Sequence, residues 1–122
     1  MLIKKCFKCG ALVAVLKDCE CKDCGITCCG EPMKEVKANS VDAAIEKHKP
    51  TYEINEDELE VRVDHVMESD HYIEWIKVVV GDEEHTYYFN PGEEPAVVIP
   101  YEKGTKLYAY CNKHGLWETT VE

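Results

Sequence analysis

Leu59-Glu60-Val61-Arg62-Val63-Asp64 alternates apolar and charged residues through three periods. Successive side chains of a strand point to opposite faces, so this spacing predicts a strand with one buried and one wet face. The same signal recurs downstream. His71 to Val80 is rich in β-branched and aromatic residues and stops at the turn Gly81-Asp82. His85-Thr86-Tyr87-Tyr88-Phe89 is closed by Asn90-Pro91-Gly92. Ala96 to Ile99, Thr105 to Cys111 and Leu116 to Val121 complete the set. Short strands separated by turn signals predict an antiparallel β-sandwich. Upstream, residues 37–58 are polar and carry few regular signals. The segment from Ser40 to His48 suits a helical turn with Ser40 as its N-cap, and Pro50 then favours extended chain.

Residues 1–36 differ in kind. Seven of the eight cysteines lie between Cys6 and Cys29, and the eighth is Cys111. A segment this short cannot bury enough apolar surface to fold unaided, so a bound metal is the expected staple. The opening Met1-Leu2-Ile3-Lys4-Lys5 lacks the apolar stretch of a secretory signal, and no apolar run approaches the ~20 residues of a membrane span. A cytoplasmic location is therefore expected, where thiols stay reduced and metal ligation is favoured over disulfides. Two domains are expected: a Cys-rich metal domain over 1–36 and a β-sandwich over 37–122.

Charge separates the same two parts. The 122 residues carry a net charge of −10. Residues 1–36 hold six Lys and five acids, a net of +1, whereas residues 37–122 hold eight Lys/Arg and 19 acids, a net of −11. Such a domain repels nucleic acid and anionic membranes, which argues against both as partners. An anionic substrate would need a local patch of positive charge.

Two ligand sets stand out. Cys6-Phe7-Lys8-Cys9-Gly10 is a C-x2-C knuckle, whose spacing lets two thiolates share one metal. Its partner pair is open: Cys21 and Cys24 form a second C-x2-C, Cys28 and Cys29 are adjacent, and Cys19 is a further thiol. Neighbouring side chains in extended structure point apart, so Cys28 and Cys29 can share a metal only across a bend. A tetrathiolate site suits zinc or iron. In the second part, His48, His65, His71, Cys111 and His114 sit at turns or strand ends. Five donors are one too many for tetrahedral zinc, and four imidazoles with a thiolate suit five-coordinate iron with an open position. His85 lies mid-strand beside Tyr87 and is expected to be structural.

The pieces Cys6-x2-Cys9, Cys28-Cys29-Gly30-Glu31-Pro32-Met33, Glu46-Lys47-His48-x-Pro50, His71-Tyr72-Ile73-Glu74-Trp75-Ile76 and Cys111-Asn112-x-His114-Gly115-Leu116-Trp117 occur in this order. Together they closely resemble desulfoferrodoxin, the two-iron class of superoxide reductase, over essentially the whole chain. The resemblance implies a desulforedoxin-like N-terminal domain with an Fe(Cys)4 centre on Cys6, Cys9, Cys28 and Cys29; the tetrathiolate chemistry alone leaves zinc possible there. It implies a neelaredoxin-like, immunoglobulin-like C-terminal sandwich. There a second iron takes His48, His65, His71 and His114 as equatorial ligands and Cys111 as the axial one. The implied activity is one-electron reduction of superoxide to hydrogen peroxide, a detoxification reaction, in a homodimer fed by a rubredoxin-like electron donor. Lys47 matches the family's superoxide-attracting lysine, and Glu46 the glutamate that ligates the oxidised iron. Lys49 and Lys113 flank ligands and could add to the field; Tyr72, Trp75 and Trp117 are expected in the core or the site wall. The alternative is an electron-transfer iron protein without superoxide turnover. Cys19, Cys21 and Cys24 lie outside the family pattern.

Overall fold

The computed structural model describes residues 1–22 and 24–122. These residues fall into two compact units, Met1–Lys37 and Ala38–Glu122. The first contains β1 (Ile3–Lys5), β2 (Leu12–Ala14), β3 (Thr27–Cys28), β4 (Glu31–Pro32) and β5 (Lys34–Glu35). They form a three-stranded sheet of order β2-β1-β5 and a β3-β4 hairpin. Among the described residues of this unit, only Ile3, Cys6 and Met33 are buried. Three residues make a thin core, as the length of the segment predicts.

The second unit contains a short helix, α1 (Ile45–His48), and seven strands. They are β6 (Thr51–Asn55), β7 (Glu58–Arg62), β8 (Ile73–Val80), β9 (Glu83–Tyr88), β10 (Ala96–Pro100), β11 (Lys106–Cys111) and β12 (Gly115–Thr120). Two antiparallel sheets result, of order β10-β7-β6 and β12-β11-β8-β9. Leu59 and Val61 of β7 and Ile99 of β10 share one core with Ile76 and Val78 of β8 and Leu107 and Ala109 of β11. The protein is thus mainly β, with seven strands in the three-plus-four division of an immunoglobulin-like sandwich. No helix among the described residues is long and apolar enough to cross a membrane.

Two departures from the sequence expectation bear on the site. Strand β6 falls in the segment expected to be irregular. It is an edge strand, and only Tyr52 of its five residues is even half-buried, so backbone pairing to β7 defines it without apolar periodicity. Ser40 does not cap the helix, which starts four residues later from Ala44 with no side-chain cap bond. Asn39 holds the preceding segment on β12 instead. Its N–H donates to Leu116 O at 2.9 Å, its amide accepts from Glu118 N at 2.9 Å, and Nδ2 donates to Glu118 O at 3.3 Å.

A bulge shapes the edge of the site. Tyr110 pairs with Trp75 but Cys111 pairs with Ile73, leaving Glu74 as an extra residue on β8. The extra residue re-phases the strand, so that Ile73 and Ile76, three apart, both reach the core. Cys111 continues the inward row Leu107, Ala109, Cys111 and is fully buried.

Leu59 sits at the centre of this core with no exposed surface. Leu59→Ala should cost about 3 kcal/mol in chemical unfolding of the second unit. A loss under about 1 kcal/mol would show that the two sheets are not held by this contact.

Candidate metal centres

His48, His65, His71, Cys111 and His114 each bring a ligand atom to one place, all within 4.8 Å of one another. Each comes from the end of an element. His48 closes α1, His65 follows β7, His71 precedes β8, and Cys111 and His114 flank the turn between β11 and β12. The link from His65 to His71 folds back through a tight turn in which Glu68 and His71 exchange backbone hydrogen bonds of 2.9 and 3.2 Å. Their rings then lie 4.6 Å apart, edge to face.

Outer contacts aim these rings. His48 Nδ1 donates to the Ala44 carbonyl at 2.7 Å, which turns Nε2 inward. His65 Nδ1 donates to the Val66 carbonyl in the same way. Inward, His48 Nε2 lies 3.0 Å from His114 Nδ1, and Cys111 Sγ lies 3.4 Å from His65 Nε2. His71 Nε2 is buried with no hydrogen-bond partner among the described residues. Trp117 stacks on His48 at 5.1 Å and donates its Nε1–H to His114 O at 3.1 Å, walling that side. Trp75 stacks instead on Tyr110, 5.4 Å away.

The electrostatics agree with a site built for a cation. Burial, then the neighbouring histidines, hold His65 and His114 below the ordinary imidazole value. They are therefore neutral and able to ligate. Burial pushes the Cys111 thiol up, partly offset by the Lys113 and His114 amides. A buried thiolate needs a positive partner, and a metal supplies one. An orphaned imidazole nitrogen, two directed rings and a buried sulfur fit a nitrogen-rich, single-thiolate metal site.

A second cluster holds Cys6, Cys9, Cys28 and Cys29. Cys6 and Cys9 span the β1-β2 loop, where Gly10 N–H donates to Cys6 O at 2.8 Å. Cys29 and Gly30 form the two-residue loop of the β3-β4 hairpin, with φ of 53° and 75°. Positive φ at both positions defines a type I′ turn and supplies the bend that adjacent ligands require. The Cys9 and Cys28 sulfurs are 3.6 Å apart, and those of Cys28 and Cys29 3.9 Å. A tetrahedron of ~2.3 Å metal–sulfur bonds has edges of roughly 3.8 Å, so the spacing fits. Amides of Cys9 and Lys8 pull the Cys6 thiol down to about 7, whereas hydrogen bonding with the Cys9, Cys6 and Cys29 sulfurs pushes Cys28 up to about 12. The crowded thiols cannot all ionise unless a cation joins them.

Cys21 and Cys24 stand outside this cluster. Their sulfurs face each other instead of the four-cysteine cluster. The physical reason is local: a C-x2-C turn brings the two Cα atoms to 5.6 Å, within ordinary bridging range. Cys19 remains free and exposed.

A sequence model of the desulfoferrodoxin family matches residues 40–120. The desulfoferrodoxin of Syntrophotalea carbinolica is 37% identical, covering 96% of this chain and 94% of its own. The chain belongs to the desulfoferrodoxin family. A superoxide reductase of Pyrococcus horikoshii is 36% identical, covering 63% of this chain and 87% of its own. Among solved structures, the superoxide reductase of Treponema pallidum superposes with a TM-score of 0.69 at 24% identity, covering 97% of this chain and 98% of that one. At that identity the likeness is one of fold.

The charged residues matched to the desulfoferrodoxin pattern are placed less closely than the ligands. Glu46 and Lys47 are exposed on α1, beside His48. Glu46 lines a cleft of about 340 Å³ with Ile45, Lys49, Pro50, Thr51, Tyr52 and Thr119, none of which belongs to the histidine cluster. Lys113 lies 3.7 Å from the Asp70 carboxylate, which offsets its charge. Lys47 and Lys49 form no ion pair among the described residues. His85 is exposed on β9 and belongs to neither cluster.

One residue of the site has a role that the sequence reading did not assign. Asn112 Oδ1 accepts from Tyr72 N at 3.0 Å, Nδ2 donates to Asp70 O at 2.9 Å, and its own N–H donates to Tyr72 O at 3.3 Å. It ties the loop carrying His71 to the turn carrying Cys111 and His114. An asparagine between two ligands in a tight turn was the available signal.

Asn112→Ala should weaken metal retention at the histidine cluster about 10–100-fold in chelator competition, leaving the sulfur cluster unchanged. Undiminished retention would show that the two ligand loops hold each other without it. In the metal-loaded chain, changing Cys28 and Cys29 together to Ser should abolish the thiolate charge-transfer absorption of the N-terminal site. Changing Cys21 and Cys24 should preserve it, and the opposite pattern would reassign the site.

Proposed function

We propose that the chain is a superoxide reductase with two irons. One is held by Cys6, Cys9, Cys28 and Cys29, and the catalytic one by His48, His65, His71, His114 and Cys111. The convergence of four imidazoles and one thiolate in a desulfoferrodoxin-family sandwich carries this reading. A ferrous ion on these donors supplies one electron to superoxide, and two protons complete hydrogen peroxide. Four neutral imidazoles and one thiolate would leave that centre with a residual positive charge, which favours approach of a small anion.

The protein's own groups set the rest. The Ala44 and Val66 carbonyls fix the tautomers of His48 and His65, so that Nε2 of each is the ligating atom. Trp117 keeps water from the His48 side by stacking on its ring. Lys47 offsets the acidity of the domain next to a ligand and draws superoxide in. Glu46, exposed on α1 two residues before His48, would be the carboxylate offered to the oxidised iron. A small rubredoxin-like protein returns the electron, the chain works as a homodimer, and the cytoplasm is its compartment. Zinc can replace iron on the four cysteines without touching the catalytic site.

Pulse radiolysis of the reduced, iron-loaded chain tests the proposal. Superoxide should decay at a rate proportional to protein, with hydrogen peroxide formed and no oxygen released. Oxygen release would mean dismutation, and no acceleration would leave only electron transfer. Lys47→Ala should slow the bimolecular step about tenfold and flatten its salt dependence. An unchanged rate would remove Lys47 from the path of the anion.

A further inference from the structure

The segment between Asp18 and Ile26 is pinned at both ends. Asp18 accepts from Lys4 Nζ and from Cys19 N–H, both at 2.8 Å, and Met33 N–H donates to Ile26 O at 2.8 Å. Between these anchors the chain presents Cys19, Cys21 and Cys24, all exposed. None of the three has a sulfur in the four-cysteine cluster. The Cys21 and Cys24 sulfurs face each other across a Cα separation of 5.6 Å, within the range that a disulfide spans.

A bridge across three residues constrains little chain, so it stabilises the fold less than one closing a long loop. The exposure of both residues also leaves the pair open to attack, unlike a buried structural bridge. We propose that Cys21 and Cys24 are a reversible dithiol–disulfide pair, a two-electron thiol-exchange site separate from both metal centres. Its co-reactants are low-molecular-weight disulfides and dithiols. In the oxidising direction, a thiolate of the pair attacks an external disulfide. The external S–S bond breaks, one external thiol leaves, and a mixed disulfide forms. The second thiolate then attacks the protein sulfur of that bond and releases the second external thiol. Two protein thiols lose two electrons, and one external disulfide becomes two thiols. Reduction by a dithiol runs the same exchange backwards. While bridged, the pair cannot compete with Cys28 and Cys29 for a metal.

The test uses the full metal-loaded chain in glutathione redox buffers, quenched by alkylation and mapped by peptide mass. Cys21 and Cys24 should pass together between a doubly alkylated and a bridged form, with the steepness of a two-electron couple. Cys6, Cys9, Cys28 and Cys29 should not change. Cys21→Ser should leave Cys24 carrying a single glutathione, the first exchange step trapped. Three results would overturn the proposal. Both thiols could stay alkylatable across all buffers, either could bridge to Cys19 or a cluster cysteine, or the reduced pair could resist alkylation while holding an extra metal equivalent. The readout needs no superoxide, so its failure leaves the reading of the histidine cluster untouched.

Discussion

Four imidazoles and a thiol share one half-buried space, with their ligand atoms within 4.8 Å of one another. His65 and His114 are held neutral there, the Cys111 thiol is held protonated, and His71 Nε2 has no partner among the described residues. The unpartnered His71 nitrogen costs free energy in a protein without a cation, and so would ionising the buried Cys111 thiol. A single metal ion relieves both at once. The rest of the second unit can be understood as the frame that keeps those five groups together. The inward row of β11 delivers Cys111, the bulge on β8 lets the strand after His71 reach the core, and Asn112 locks the two loops to each other.

The first unit solves a related problem with less material. Its core is thin for a chain of this length, and the four sulfurs gathered within 4.8 Å of one another offer a metal the place of a staple. The left-handed conformation at Cys29 is what makes adjacent ligands workable. Cys29 alone would be strained there, and Gly30 beside it completes the turn without penalty. Cys21 and Cys24 face each other instead of the cluster, which leaves that sulfur chemistry to Cys6, Cys9, Cys28 and Cys29.

The sandwich was legible because its central strands alternate: Leu59, Val61 and Val63 are buried as their spacing requires. Strand β6 was not, because an edge strand with exposed side chains carries its order in backbone bonds. Ser40 misled because capping chemistry is local, while the start of α1 is set by Asn39 gripping β12 across 79 residues of sequence. The histidine set could be assembled from residue types and a resemblance, and the short polar link from Met67 to Asp70 is a sequence signal for the turn that brings His65 to His71. The choice between Cys21/Cys24 and Cys28/Cys29 was open on spacing alone. The backbone at Cys29 and Gly30 brings the latter pair to Cys9, and the former pair turns to itself.

X-ray absorption at the iron edge tests the five-donor site most directly. The measurement is made on the iron-loaded chain with Cys28 and Cys29 changed to Ser, so that the histidine cluster alone contributes. Four nitrogen neighbours and one sulfur are expected, with the sulfur lost on further Cys111→Ser. A shell without sulfur, or one dominated by sulfur, would contradict a centre built from His48, His65, His71, His114 and Cys111.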